Sequence, residues 1–149
     1  MESVTQPKRL LVASGPFGPR LSASAVAAAI ARGIEEAGLP EPDICLLPLP
    51  AQDGEDARTL LDGLSFDARM RRSRAVVVAA DRLEEQMLAG SVTFEIATRA
   101  RQAGVPAYAV TAENRLDRFD ARILDLQVIL QARDARALAA AGRELAQVV

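Results

Sequence analysis

Short apolar runs, each followed by a segment of helical periodicity, constrain this chain more than any other feature. Leu10–Ser14, Ile44–Leu47, Ala75–Ala79 and Ala107–Thr111 are too short for buried helices and carry no polar alternation. Such runs are what strands buried on both faces of a parallel sheet look like. A fifth strand is expected over Leu124–Leu130, with Leu124, Leu126, Val128 and Leu130 on one side. Every connection is long enough for a right-handed crossover, so the expected fold is a three-layer α/β domain. It is flavodoxin-like and Rossmann-like, with a five-stranded parallel sheet in the order 2-1-3-4-5.

The helical segments have clear boundaries. In Ala23–Ala37, Val26, Ile30 and Ile34 form one stripe while Arg32, Glu35 and Glu36 face water. Gly38 and Pro40 stop that helix. Asp53 can cap a helix over Gly54–Leu64, with Glu55 and Asp56 in its first turn. Ser91 can cap another that runs to Ala103, burying Val92, Ile96, Ala100 and Ala103 before Gly104 ends it. The last helix, Asp134–Val148, buries Leu138, Ala141, Leu145 and Val148 or its neighbour. Gly142 should weaken this helix slightly relative to alanine. Residues 1–149 read as one domain with a polar tail over 1–7, without repeats or linkers.

Composition removes several function classes. The chain has no histidine and no tryptophan, one tyrosine and four phenylalanines. Imidazole acid–base catalysis and histidine–metal sites are thus excluded, and stacking on nucleic-acid bases has little to work with. A net charge of −2 also argues against a polyanionic nucleic-acid partner. Lys8 is the single lysine among 18 basic residues, so a phosphate-holding lysine is missing unless the tail folds back. Cys45 has no partner for a disulfide and falls in a strand, where it reads as a buried apolar residue. No apolar run approaches the ~20 residues of a membrane span, and no signal core opens the chain. The expectation is a cytoplasmic protein without membrane contact.

In a sheet of this order, ligands sit beyond the carboxyl ends of the strands. Those ends contribute Ser14–Ser22, Ala51–Asp56, Asp81–Glu85 and Thr111–Asn114. The first loop, Ser14-Gly-Pro-Phe-Gly-Pro-Arg-Leu-Ser22, allows two readings. Gly15 and Gly18 let the backbone approach a ligand, the following helix start favours an anion, Arg20 adds a charge and Ser22 a hydroxyl. Alternatively it is a proline-stiffened turn with Ser22 as helix cap. Asp53, Glu55 and Asp56, or Asp81, Glu84 and Glu85 beside Arg82, could hold Mg²⁺, or could be ordinary first-turn and solvated acids. Glu113 and Asn114 read as loop. The basic run Arg69-Met-Arg-Arg-Ser-Arg74 lies at the opposite edge and reads as a solvated turn or a partner surface.

The same residues carry a resemblance to bacterial-type glycerate kinases, which phosphorylate D-glycerate with ATP. That family's first loop reads A-P-D-S-F-K-G-S-L-S-A, and here Ala13, Phe17, Leu21, Ser22 and Ala23 fall on it, followed by Ile30 and Gly33. Its aspartate is Gly15 here and its lysine is Gly18. The signature P-x-A-D-G-G-E-G-T resembles Pro48–Ala57 through Ala51, Gly54 and Glu55, with Gln52 at the aspartate. The signature T-G-E-G-R-L-D-x-Q-T-L-x-G-K resembles Val78–Ser91 through Arg82, Leu83, Gln86, Leu88 and Gly90. Its glutamate is Ala80 here and its second lysine Ser91. Gly104-Val-Pro106 also matches. The family's large second domain, between the second helix and the third strand, has only Leu64–Ser73 in its place.

The resemblance implies one wall of a cleft whose charged groups are gone. Phosphoryl transfer depends on positioning and electrostatics, and each lost stabilising group costs about 10²–10³ in rate. The expected function is a catalytically impaired glycerate-kinase-like domain that binds a small anionic ligand. Ser14, Gly15, Phe17, Gly18, Arg20, Ser22, Arg82 and Gln86 are its expected contacts. Asp53, Glu55 and Asp81 are the candidate catalytic carboxylates. ATP and Mg²⁺ belong to the site only if the ancestral activity persists. One alternative is half of a split kinase working with a separate partner domain. Another is a non-catalytic homo-oligomer that pairs through the surface left by the missing domain.

Overall fold

The computed structural model describes residues 8–47, 54–85 and 91–149, and of Gly54, Glu55 and Asp56 the backbone only. Five strands form one parallel sheet in the order β2-β1-β3-β4-β5, as the apolar runs predict. They are β1 (Leu11–Ser14), β2 (Asp43–Leu46), β3 (Val76–Leu83), β4 (Ala107–Asn114) and β5 (Ile129–Gln131). The helices are α1 (Ala23–Glu36), α2 (Gly54–Gly63), α3 (Phe66–Arg71), α4 (Val92–Ala103), α5 (Arg118–Leu124) and α6 (Ala135–Val148).

Alternation along the strands sorts the core into two halves. Val12, Val77, Ala79, Tyr108 and Val110 pack against Val26, Ile30 and Ile34 of α1 and Leu138, Ala141 and Leu145 of α6. Leu11, Ala13, Cys45, Val76, Val78 and Ala107 face Leu61 of α2, Phe66 and Met70 of α3, and Ile96 and Ala100 of α4. The sheet is therefore covered on both faces, which is why its strands lack a polar side. Cys45 is 1% exposed, and burial raises the pKa of its thiol, keeping it protonated and unreactive.

Helices α1 and α6 touch backbone to backbone. A Cβ on Gly33 would overlap the Ala139 carbonyl, and one on Gly142 would overlap the Ile30 carbonyl. Gly142 is thus a packing requirement, and its modest intrinsic cost to the helix is outweighed by the close approach it permits.

Four local expectations are corrected. The fifth strand is only Ile129–Gln131, because Asp117 caps a helix, its carboxylate accepting from the Asp120 amide at 2.8 Å. That helix ends at Asp125 in the left-handed region (φ 54°), so Leu124 is helical and Leu126 packs with the core half opposite Val128 and Leu130. Strands β3 and β4 run on past their apolar cores, pairing with each other as far as Leu83 and Asn114, so Glu113 and Asn114 are strand and not loop. At the end of α4, Ala103 is exposed and not part of the buried face, whereas at the end of α6 the expectation holds through the neighbour of Val148, Val149, which packs on the core.

The basic run begins as helix and not as a turn. Arg69-Met-Arg71 forms the end of α3, and Met70 is buried. Arg69 is no solvated turn residue: it grips Asp43 with Nε at 3.0 Å and Nη2 at 2.7 Å, and donates to the Ile44 carbonyl at 2.8 Å. This ties α3 to the start of β2. A second arginine, Arg99 of α4, bonds Glu95 at 2.8 Å, Asp62 at 2.9 Å and Asp67 at 3.1 Å, gathering α2, α3 and α4.

Two predictions follow from this packing. Gly33→Ala and Gly142→Ala should each destabilise by about 1–3 kcal/mol or more through overpacking, whereas Gly63→Ala, whose Cβ meets no neighbour, should not; urea melts compare them. The Arg69 hydrogen bonds hold the Asp43 carboxyl below its usual pKa, with Arg9 and Arg72 adding smaller attractions. A depressed folded-state pKa stabilises above the unfolded value, about 3.9, and the contribution is lost as pH falls through the folded pKa. Asp43→Asn should cost about 1.5–3 kcal/mol at neutral pH and flatten the acid limb of a stability profile.

Candidate functional site

Strand order reverses between β1 and β3, so the crevice expected of this topology lies beyond their carboxyl ends. The loop from Ser14 to Ser22 crosses it. The Gly15 amide continues the sheet by donating to the Ala79 carbonyl at 3.0 Å. Phe17 then turns inward, 4% exposed, as part of the α1–α6 half of the core. Its amide donates to the Leu21 carbonyl at 2.9 Å, closing a tight turn whose apex holds Gly18 at φ 60°. An L residue is strained at that φ, which accounts for the glycine there.

Both hydroxyls of the loop are structural. Ser14 is fully buried, its Oγ 3.1 Å from the Gly15 carbonyl and 3.2 Å from the Ala23 carbonyl. Ser22 caps α1, accepting from the Ala25 amide at 3.1 Å. The turn reading of these residues is therefore realised, and the loop's remaining polar group is Arg20. Arg20 is exposed and has no ion-pair or hydrogen-bond partner among the described residues.

Strand β3 delivers Asp81 and Arg82 to the same rim but to opposite faces. Asp81 shares the parity of Val77 and Ala79, the α1 face, and its Oδ2 lies 3.8 Å from where a Gly18 Cβ would be. Arg82 shares the parity of Val76 and Val78, the α4 face. It sits in register with Glu113 of β4, and the pair meets at 3.6 Å. Arg115 bonds Glu113 at 2.8 Å and Glu84 at 3.4 Å, and Glu84 returns to Arg82 at 3.9 Å. These four side chains close a ring in which two positive charges answer two negative ones. Arg82 thus belongs to a neutralised cluster, separated from Arg20 by the sheet.

Thr111, fully buried, donates from Oγ1 toward the Asp81 and Glu113 carbonyls, both 3.1 Å away, and fixes the ends of both strands. Its apolar-run context hid this role. Asp53 and Gln86 lie outside the described residues, and Glu55 is placed by its backbone in the first turn of α2. Among the described residues no three acids, cysteines or histidines converge on one point. The described residues of the loop, Gly15 and Gly18 among them, supply neither an acid for Mg²⁺ nor a lysine for a phosphate, so they do not fit a Mg²⁺–ATP site. The exposed large apolar residues Phe119 (71%) and Ile123 (39%) stand one turn apart on α5, the helix that follows β4.

No family model matches the chain, and no curated protein does. Solved structures share its fold. It is similar to a protein from Burkholderia pseudomallei described as a putative pilus assembly-related protein, with 19% identity and a TM-score of 0.52, covering 98% of this chain and 96% of that one. It is also similar to a de novo designed Rossmann 2x3 protein, with 13% identity and a TM-score of 0.50, covering 95% of this chain and 90% of that one. These likenesses define a Rossmann-like α/β protein. Because a sequence designed from scratch adopts the same architecture, the fold by itself names no activity. No helix among the described residues is long and apolar enough to cross a membrane.

The Ser22 geometry gives a direct prediction. Ser22→Ala should cost about 1 kcal/mol through loss of the α1 cap, and Ser22→Asp should restore most of it. Thermal denaturation without added ligand checks this.

Proposed function

We propose that this chain is a glycerate-kinase-like domain without turnover that binds a small hydroxylated anion beside the first loop. The observation that carries this reading is Arg20. It is a cation with no partner among the described residues, next to the first-turn amides of α1, at the switch point of the sheet. Asp81 lies on the same face, against Gly18. A hydroxy acid or its phosphate ester satisfies both groups: the anion faces Arg20 and a hydroxyl donates to Asp81. A bare anion would instead feel the carboxylate as repulsion.

The absence of turnover rests on three substitutions and one pairing. Gly15, Gly18 and Ser91 replace an acid and two lysines of the family that the chain resembles. Arg82, which matches that family, spends its charge on Glu113 and Glu84. The groups that would neutralise a transferring phosphoryl are thus absent or occupied. The chain's residues bind and orient a ligand; no step of chemistry is assigned to them.

Thermal shift with D-glycerate, phosphoglycerate and inorganic phosphate tests the reading. At 100 times its dissociation constant, the right ligand should stabilise by about 2.7 kcal/mol. Arg20→Ala should remove that response and Arg82→Ala should leave it intact, while ATP plus D-glycerate yields no ADP above a blank. A flat response to every ligand would overturn the proposal, and so would measurable turnover.

A further inference from the structure

At the opposite edge of the sheet, where the strands begin, the chain forms a second polar hollow. Lys8, Arg71, Ser73 and Arg74 line one part of it, and Gly104 and Pro106 contribute to the rest. Its volume is about 390 Å³, and no carboxylate is among its lining residues. Arg9 and Arg72 stand on the same edge, close enough to the start of β2 for their charges to act on Asp43. Five of the 18 basic residues of a chain with net charge −2 are therefore collected at one rim.

The usual structural work for such cations is already done by other groups. Arginines often compensate the bare carbonyls at helix C-termini. Here the Ser73 amide and hydroxyl take the Met70 and Arg69 carbonyls of α3, at 3.0 and 2.8 Å. The Gly104 and Val105 amides take the Arg101 and Ala100 carbonyls of α4, at 3.2 and 2.9 Å. Asp43, at the start of β2 on this edge, is held by Arg69. Among the described residues Lys8, Arg9, Arg71 and Arg72 form no ion pair, and Arg74 uses one guanidinium nitrogen on the Val149 main-chain oxygen at 2.8 Å.

We propose that this hollow binds a small soluble molecule carrying two or more phosphate groups. Guanidinium forks match phosphate oxygens in pairs, and three cations converging on one space suit a multiply charged ligand better than a single carboxylate. The volume lies in the range of small-molecule sites. The scarcity of aromatic side chains disfavours a nucleic-acid strand, which would need stacking platforms as well as charge. The hollow is separate from the rim that holds Arg20, since the two lie at opposite ends of the strands.

Calorimetric titration of the full chain with inorganic pyrophosphate at low salt tests this, using exposed residues for the variants. Saturable binding that weakens at least tenfold in the Lys8→Glu/Arg71→Glu double variant, and is unchanged in Arg20→Ala, is the expected result. Circular dichroism confirms that the variants fold. Lack of saturable binding to the parent chain would overturn the proposal, as would equal affinity in the double variant. It would also fall if a single-stranded oligonucleotide bound more tightly than pyrophosphate and lost affinity in the same variant, since that would make the rim a polymer surface.

Discussion

The contact on which the arrangement depends is the one between the backbones of α1 and α6. Gly33 and Gly142 lie far apart in the chain, yet each leaves room for a main-chain carbonyl of the opposite helix. Close approach lets Ile30, Ile34, Leu138 and Leu145 reach the sheet together and seal one face. It also fixes the axis of α1, and with it the position of Ser22 and the loop before it. The candidate site is therefore held by a packing interaction at the other end of its own helix.

The opposite face is organised by charge as much as by shape. Arg69 and Arg99 are both largely covered, and each satisfies several acceptors from neighbouring elements. Such pairs hold orientation, since breaking one leaves a half-buried ion without its partner. Between them they fasten α2, α3 and α4 to each other and to β2. The small residues of this chain, rich in alanine, supply little bulk for interlocking, and directional bonds take over part of that task.

Charge also divides the two ends of the sheet. At the carboxyl ends, Arg82, Glu84, Glu113 and Arg115 cancel within a ring, leaving Arg20 across the sheet from them. At the amino ends, cations accumulate around the start of β2 and β3, where Asp43 is engaged by Arg69. Parallel strands place all loops of one kind at one edge, so a local run such as Arg69–Arg74 meets Lys8 and Gly104 only once the sheet is formed.

By itself the sequence determined the class of fold, the order of the strands and most of the helix caps. The apolar runs, Ser22, Ser91 and Asp134 are local signals, and local hydrogen bonding and burial are enough to realise them. It did not reveal α5 or the short β5, where an aspartate cap overrode an apolar alternation that could serve either element. Nor could it tell which of the predicted ligand contacts share a face. Ser14 and Ser22 were legible as loop hydroxyls, but their partners come from folding the loop onto α1. Arg82 and Arg20 read as neighbours by loop position, and strand parity with the extended β3–β4 pairing put the sheet between them. That separation, like the glycine contact of α1 with α6, depends on through-space geometry between distant segments, which tertiary structure alone decides.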